Sequence, residues 1–194
     1  MSKRSGAVLV GCMALVAGLA LSEGPGTNST PVPIALADDV PRDLVLLARA
    51  TWERFTGAFP AQGDCLAPVT VDGARGLDDR AAYDPNRRLV TVRFPGTAPN
   101  LEASLVHEFA HHLELGCPGQ GPLRSEFRAA QGLAADAEWF EGATWEETPS
   151  EQFAEAVTMF VLGRRPGHLR TPVSASAVRA VRAWAEGGQV THRP

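Results

Sequence analysis

The chain has 194 residues, 18 basic and 22 acidic side chains, and a formal charge of −4, so it presents no basic footprint for nucleic acid. Its length suits one domain with a single core, and it contains only three cysteines.

Met1-Ser2-Lys3-Arg4 precedes a run without charge from Ser5 to Ser22 that includes Leu15-Val16-Ala17-Gly18-Leu19-Ala20-Leu21. A basic start followed by an apolar run reads as an export signal. Ala35-Leu36-Ala37 supplies the small-x-small pattern for cleavage after Ala37. That cut divides the chain into residues 1–37, a signal peptide with a Pro-, Ser- and Thr-rich end, and a domain at 38–194. Two other readings use the same segment: an uncleaved membrane anchor, and lipidation at Cys12 within Leu9-Val10-Gly11-Cys12. All three place the domain outside the cytoplasm, secreted or in the cell envelope, with membrane contact only through that N-terminal segment or its lipid. Removing residues 1–37 takes away Lys3, Arg4 and Glu23, which leaves 16 arginines, no lysine and 21 acids. Cys65 and Cys117 remain, and an even pair in an oxidising compartment is most simply a disulfide. Closing a loop of about fifty residues contributes roughly 4 kcal/mol in the chain-entropy treatment. The rival reading makes Cys117 a metal ligand and leaves Cys65 unpaired.

Pro41 to about Phe59 is predicted helical, because Leu44, Leu47, Ala48, Thr51, Trp52 and Phe55 fall at helical spacing. Val69-Thr70-Val71 is a predicted strand. Ala81 to Tyr83 and Leu89 to Phe94 flank Asp84-Pro85-Asn86-Arg87, and strand, Pro-Asn turn and strand make a hairpin. A helix then runs from about Asn100, its expected cap, to Leu115, with Gly116 and Pro118 ending it. Leu101, Leu105, Phe109 and Leu113 form its buried stripe. Further helices are predicted over Leu123 to Phe140, Pro149 to Leu162 and Val173 to Gly187. Helix, small sheet, then helices make an α+β domain.

The Asn100–Leu115 helix carries His107-Glu108-Phe109-Ala110-His111, with His107 and His111 on a face adjacent to the stripe. Histidines four apart project from one face and can grip one metal ion, and Glu108 beside them can take a proton from a water held by it. A catalytic zinc takes three protein ligands. A third histidine six residues after His111 would make the metzincin pattern, but that position is Cys117, and Glu114 stands where the pattern needs glycine. His112 points about 100° away from His111, which removes it as a third ligand. Downstream, Ser150-Glu151-Gln152-Phe153-Ala154-Glu155 offers two carboxylates on one helical face.

With His107, Glu108, His111, Glu151 and Glu155 the chain resembles the gluzincin branch of the zincin-like metallopeptidases. The resemblance implies one catalytic Zn2+ held by His107, His111 and Glu151, with Glu155 orienting a histidine from behind; Glu155 as the ligand is the alternative. It implies a small zincin-like domain in which the strand Leu89 to Phe94 is the sheet edge lining the cleft. The implied activity is hydrolysis of a peptide or protein substrate, with Glu108 as general base and then proton donor to the leaving amine. A second electrophile is required, for which His168, Tyr83 and His112 are the candidates. Trp52, Trp139, Trp145 and Trp184 read as core or rim. The alternative function is a catalytically silent zincin-like envelope protein that binds zinc or peptide.

Overall fold

A computed structural model describes residues 32–118, 120–167 and 171–188. The apolar N-terminal run and His168 lie outside the described residues.

Four strands form one sheet: β1 (Ile34–Leu36), β2 (Val69–Ala74), β3 (Ala81–Asp84) and β4 (Leu89–Arg93), in the order β1-β2-β4-β3. β1 with β2 and β2 with β4 pair in parallel, and β3 pairs antiparallel with β4 as the expected hairpin. The alternation along the central strands explains which face is covered. Val69, Val71, Val90 and Val92 are buried, whereas Thr70, Asp72 and Thr91 between them stay part-exposed. Because β2 claims the far side of β4, that strand is internal, and the sheet edge on the hairpin side is β3 and not the expected Leu89 to Phe94 strand. A hairpin pattern is local, and it carries no information about a partner strand fifteen or more residues upstream.

Five helices complete the α+β domain: α1 (Arg42–Ala58), α2 (Ala98–Gly116), α3 (Gln120–Gln131), α4 (Pro149–Leu162) and α5 (Ala175–Ala185). Leu101, Leu105, Phe109 and Leu113 of α2 are all buried, as the stripe requires. Where α1 meets α2, the Trp52 and Phe109 rings lie edge to face with centroids 4.8 Å apart. Such a pair contributes about 0.5–1.5 kcal/mol beyond its area.

Two boundaries differ from expectation. α2 begins at Ala98 with Thr97 at the cap position, so Asn100 lies within the first turn instead of capping it. Pro99 explains this, since proline suits the first helical turn, where its missing N–H has no partner to lose. The helix expected to reach Phe140 stops at Gln131, where Gly132 takes φ 81° and turns the chain out. Residues 133–144 are irregular, and Trp145–Glu147 form a single 3-10 turn before α4.

Cys65 and Cys117 form a disulfide, tying the end of α2 to the segment ahead of β2. The folded unit also begins upstream of residue 38. β1 is part of the sheet, Ala37 donates its N–H to the Val71 carbonyl at 3.0 Å, and the Trp52 indole donates to the Val32 carbonyl at 2.8 Å. Cleavage after Ala37 would therefore remove an edge strand. The alanines that suit a signal peptidase also suit a short strand, and local composition does not separate the two uses. Among the described residues, no helix is long and apolar enough to cross a membrane.

Candidate metal centre

α2 and α4 pack side by side, and their facing surfaces supply the site. One helical turn separates His107 from His111, which brings their Nε2 atoms to 3.2 Å. From the first turn of α4, Glu151 Oε2 reaches to 3.0 Å from His107 Nε2 and 3.4 Å from His111 Nε2. These three side chains could hold a metal ion. The triangle itself is the test of fit. Three ligand atoms placed tetrahedrally about 2.0–2.1 Å from a common centre are about 3.3–3.4 Å apart, close to the edges seen.

Each ring nitrogen on the far side faces a buried carboxylate. Glu155 Oε1 lies 3.6 Å from His107 Nδ1, and Glu114 Oε2 lies 3.6 Å from His111 Nδ1. Carboxylates there favour an Nδ1–H tautomer, leaving each Nε2 lone pair aimed at the triangle. The structure thus brings Glu151 among the converging atoms and places Glu155 behind His107. Glu114 was missed as a partner, although it sits three positions after His111 on the same helix. It is 1% exposed, accepts from Ser150 Oγ at 2.9 Å and from the Trp139 indole, and pairs with Arg124 at 3.5 Å.

Electrostatics follow from these neighbours. Burial alone would lower the pKa of His111, but hydrogen bonds to Glu114 and Glu151 outweigh it and push it up to about 10. Burial likewise opposes ionisation of Glu151, and its bonds to His107 and His111 overcome this and hold it down to about 2. Glu108 is raised above the usual carboxylate range, chiefly by burial, with His107 and His111 opposing. Glu155 is raised by burial as well, and its Oε2 has no hydrogen-bond partner among the described residues.

The triad opens into a cleft of about 610 Å3. Glu108 lines it beside the two histidines. The β3 edge forms one wall through Ala81, Ala82 and Tyr83, and Phe140 and Trp145 stand on the other elements around it. His112 is turned away from the cleft and 1% exposed. Its Nε2–H donates to the Ala67 carbonyl at 2.9 Å, so Nδ1 is the acceptor for the Tyr83 hydroxyl at 2.7 Å. Of the three candidate electrophiles, His112 is therefore structural, Tyr83 lines the cleft with its proton given to His112, and His168 lies outside the described residues. Arg80 is a cleft-lining cation that sequence reasoning did not single out. Trp139 and Trp52 are core, Trp184 is part-buried, and Trp145 is a rim residue stacked on His107 with centroids 5.7 Å apart.

No family model, curated protein or solved structure matches the chain. Its own geometry carries the functional reading.

Proposed function

We propose that this chain is an exported zinc-dependent peptidase of the gluzincin type, with His107, His111 and Glu151 as zinc ligands. The observation that carries it is the triangle of 3.0, 3.2 and 3.4 Å, set beside a buried Glu108 in an open cleft. Two imidazoles and one carboxylate form a donor set suited to a catalytic zinc with a position left for water. Zinc, when bound there, acidifies a water and polarises the substrate carbonyl. Glu108, which lines the cleft beside the two histidines, takes the proton from the attacking water. It then delivers the proton to the leaving amine. Glu155 and Glu114 keep the two imidazoles oriented. An extended substrate lies along β3, an edge strand of the sheet, as a strand added to it. Export rests on the basic and apolar N-terminal sequence, and the disulfide is compatible with an oxidising compartment.

One observation favours a second reading, a zinc- or peptide-binding protein without turnover: the cleft-lining Tyr83 gives its hydroxyl proton to His112. Glu108→Gln separates the two. The peptidase reading expects one zinc per chain retained and hydrolysis of an unfolded protein lowered at least a hundredfold. Absence of hydrolysis by the zinc-loaded parent would leave only the binding reading.

A further inference from the structure

Four large apolar side chains stand exposed among the described residues: Leu46, Leu115, Phe140 and Trp145. The last three all line the cleft that holds the triad. Single exposed apolar residues need no explanation, whereas a cluster in a concave site beside convergent polar groups marks a recognition surface.

The cluster is built from distant parts of the chain. Leu115 lies in the last turn of α2, while Phe140 and Trp145 belong to the segment between α3 and α4. That segment is anchored from inside, since Trp139 is buried, donates to Glu114 and accepts the Ser150 N–H at 2.9 Å. It is also closed tightly on itself. A Cβ on Gly142 would meet the Thr148 nitrogen at 2.6 Å. Each aromatic ring is held by a neighbour and open elsewhere. Phe140 lies under the Arg124 guanidinium at 5.0 Å and is 54% exposed. Trp145 stacks on His107 and is 50% exposed. Elsewhere in the cleft, Ala81 and Ala82 of β3 keep the space open. Among the described residues, the charged ones lining the cleft apart from Glu108, Glu151 and Glu155 are Asp79 and Glu146 against Arg80.

We infer that Leu115, Phe140 and Trp145 form a side-chain subsite that takes a large aromatic or aliphatic residue of an extended peptide, next to the bond presented to the triad, with neutral or basic residues flanking it. This deepens the peptidase reading and rests on it for the identity of the occupant as a peptide. The contact of Trp145 with the ligand His107 places the wall beside the reacting position. Aromatic and aliphatic side chains gain by covering its open faces. The acidic excess at the rim disfavours acidic flanks.

The test uses the full-length zinc-loaded Glu108→Gln protein, so that binding is read without turnover. Capped glycine-alanine peptides carrying a central phenylalanine or a central alanine are titrated. Phenylalanine is expected to bind at least tenfold more tightly, in the range a filled apolar pocket provides. Adding Phe140→Ala with Trp145→Ala should cut that ratio to about threefold or less, whereas Trp145→Phe should retain it and Leu46→Ala should leave it unchanged. Zinc content and melting temperature of each variant report whether the triad and fold persist. Lysine flanks should bind better than glutamate flanks. Equal affinity for the two central residues, or a ratio that survives the double substitution in a protein that keeps its zinc, would overturn the inference. If the parent chain hydrolyses no peptide yet the binding ratio holds, the peptidase reading fails and the subsite stands.

Discussion

The two faces of α2 treat adjacent, chemically identical residues in opposite ways. On the cleft face, His111 has Glu114 and Glu151 beside it, and its pKa is pushed up to about 10. On the buried face, His112 meets a carbonyl and a hydroxyl, and burial lowers its pKa. One position of sequence rotates a side chain by about 100° on a helix, which here moves it from a carboxylate cluster into the junction of α2 with β3 and the segment before β2. Role is set by the partners a side chain meets, and apart from Glu114 on α2 itself those partners come from α4, β3 and the segment before β2, far away in sequence.

Breaking the cleft face should have the largest effect. His107→Ala or His111→Ala removes one of three converging atoms, and stoichiometric zinc and all hydrolysis are expected to be lost, as read by metal analysis and a peptide-cleavage assay. Glu108→Gln should keep zinc and reduce kcat by about 10²–10⁴-fold. Glu114→Gln sharpens the comparison, because it keeps a hydrogen-bonding side chain behind His111 but removes the charge. Zinc affinity is expected to fall by about 10–100-fold, measured by competition with a chelator, while the disulfide and core stay intact. An unchanged affinity would show that Glu114 serves only its contacts with Ser150, Trp139 and Arg124.

The buried face should answer to pH, and with the sign of a depressed histidine. The unfolded chain binds a proton at His112 with a pKa of about 6.5, above the folded value. Stability is therefore complete above about 6.5 and declines as pH falls below it, by at most about 1.4 kcal/mol per pH unit, levelling once pH drops below the folded value. Chemical denaturation between pH 7 and 5, parent against His112→Gln, isolates this contribution. His111 in chelated protein should act oppositely, its stabilisation being full below about 6.5 and lost as pH rises through about 10. Reducing the Cys65–Cys117 bridge should lower stability by about 2–4 kcal/mol and lower the melting temperature, with no change in zinc stoichiometry. Loss of zinc on reduction would instead show that the bridge at the end of α2 holds the histidines in place.

The elements with strong periodic patterns were legible in the sequence. α1, α2 and α4 show their apolar stripes, and the hairpin its turn. The motif histidines were legible because a helix converts spacing into proximity by fixed geometry. What escaped depends on long-range assembly. β2 inserts beside β4 and so moves the sheet edge to β3, and Ile34–Leu36 joins the sheet although it reads as the end of a signal. Glu114 looked only like a residue out of place in another pattern, because its partners Ser150 and Trp139 lie 36 and 25 residues away. Phe140 was expected inside a helix, and Gly132 instead releases it into the segment that walls the cleft.

Zinc-edge X-ray absorption on the purified, disulfide-intact protein tests the metal centre most directly. One zinc per chain with two imidazole nitrogens and oxygen at about 2.0–2.1 Å is the predicted result. A sulfur scatterer at about 2.3 Å, or protein that takes up no zinc while His107, His111 and Glu151 are intact, would contradict it.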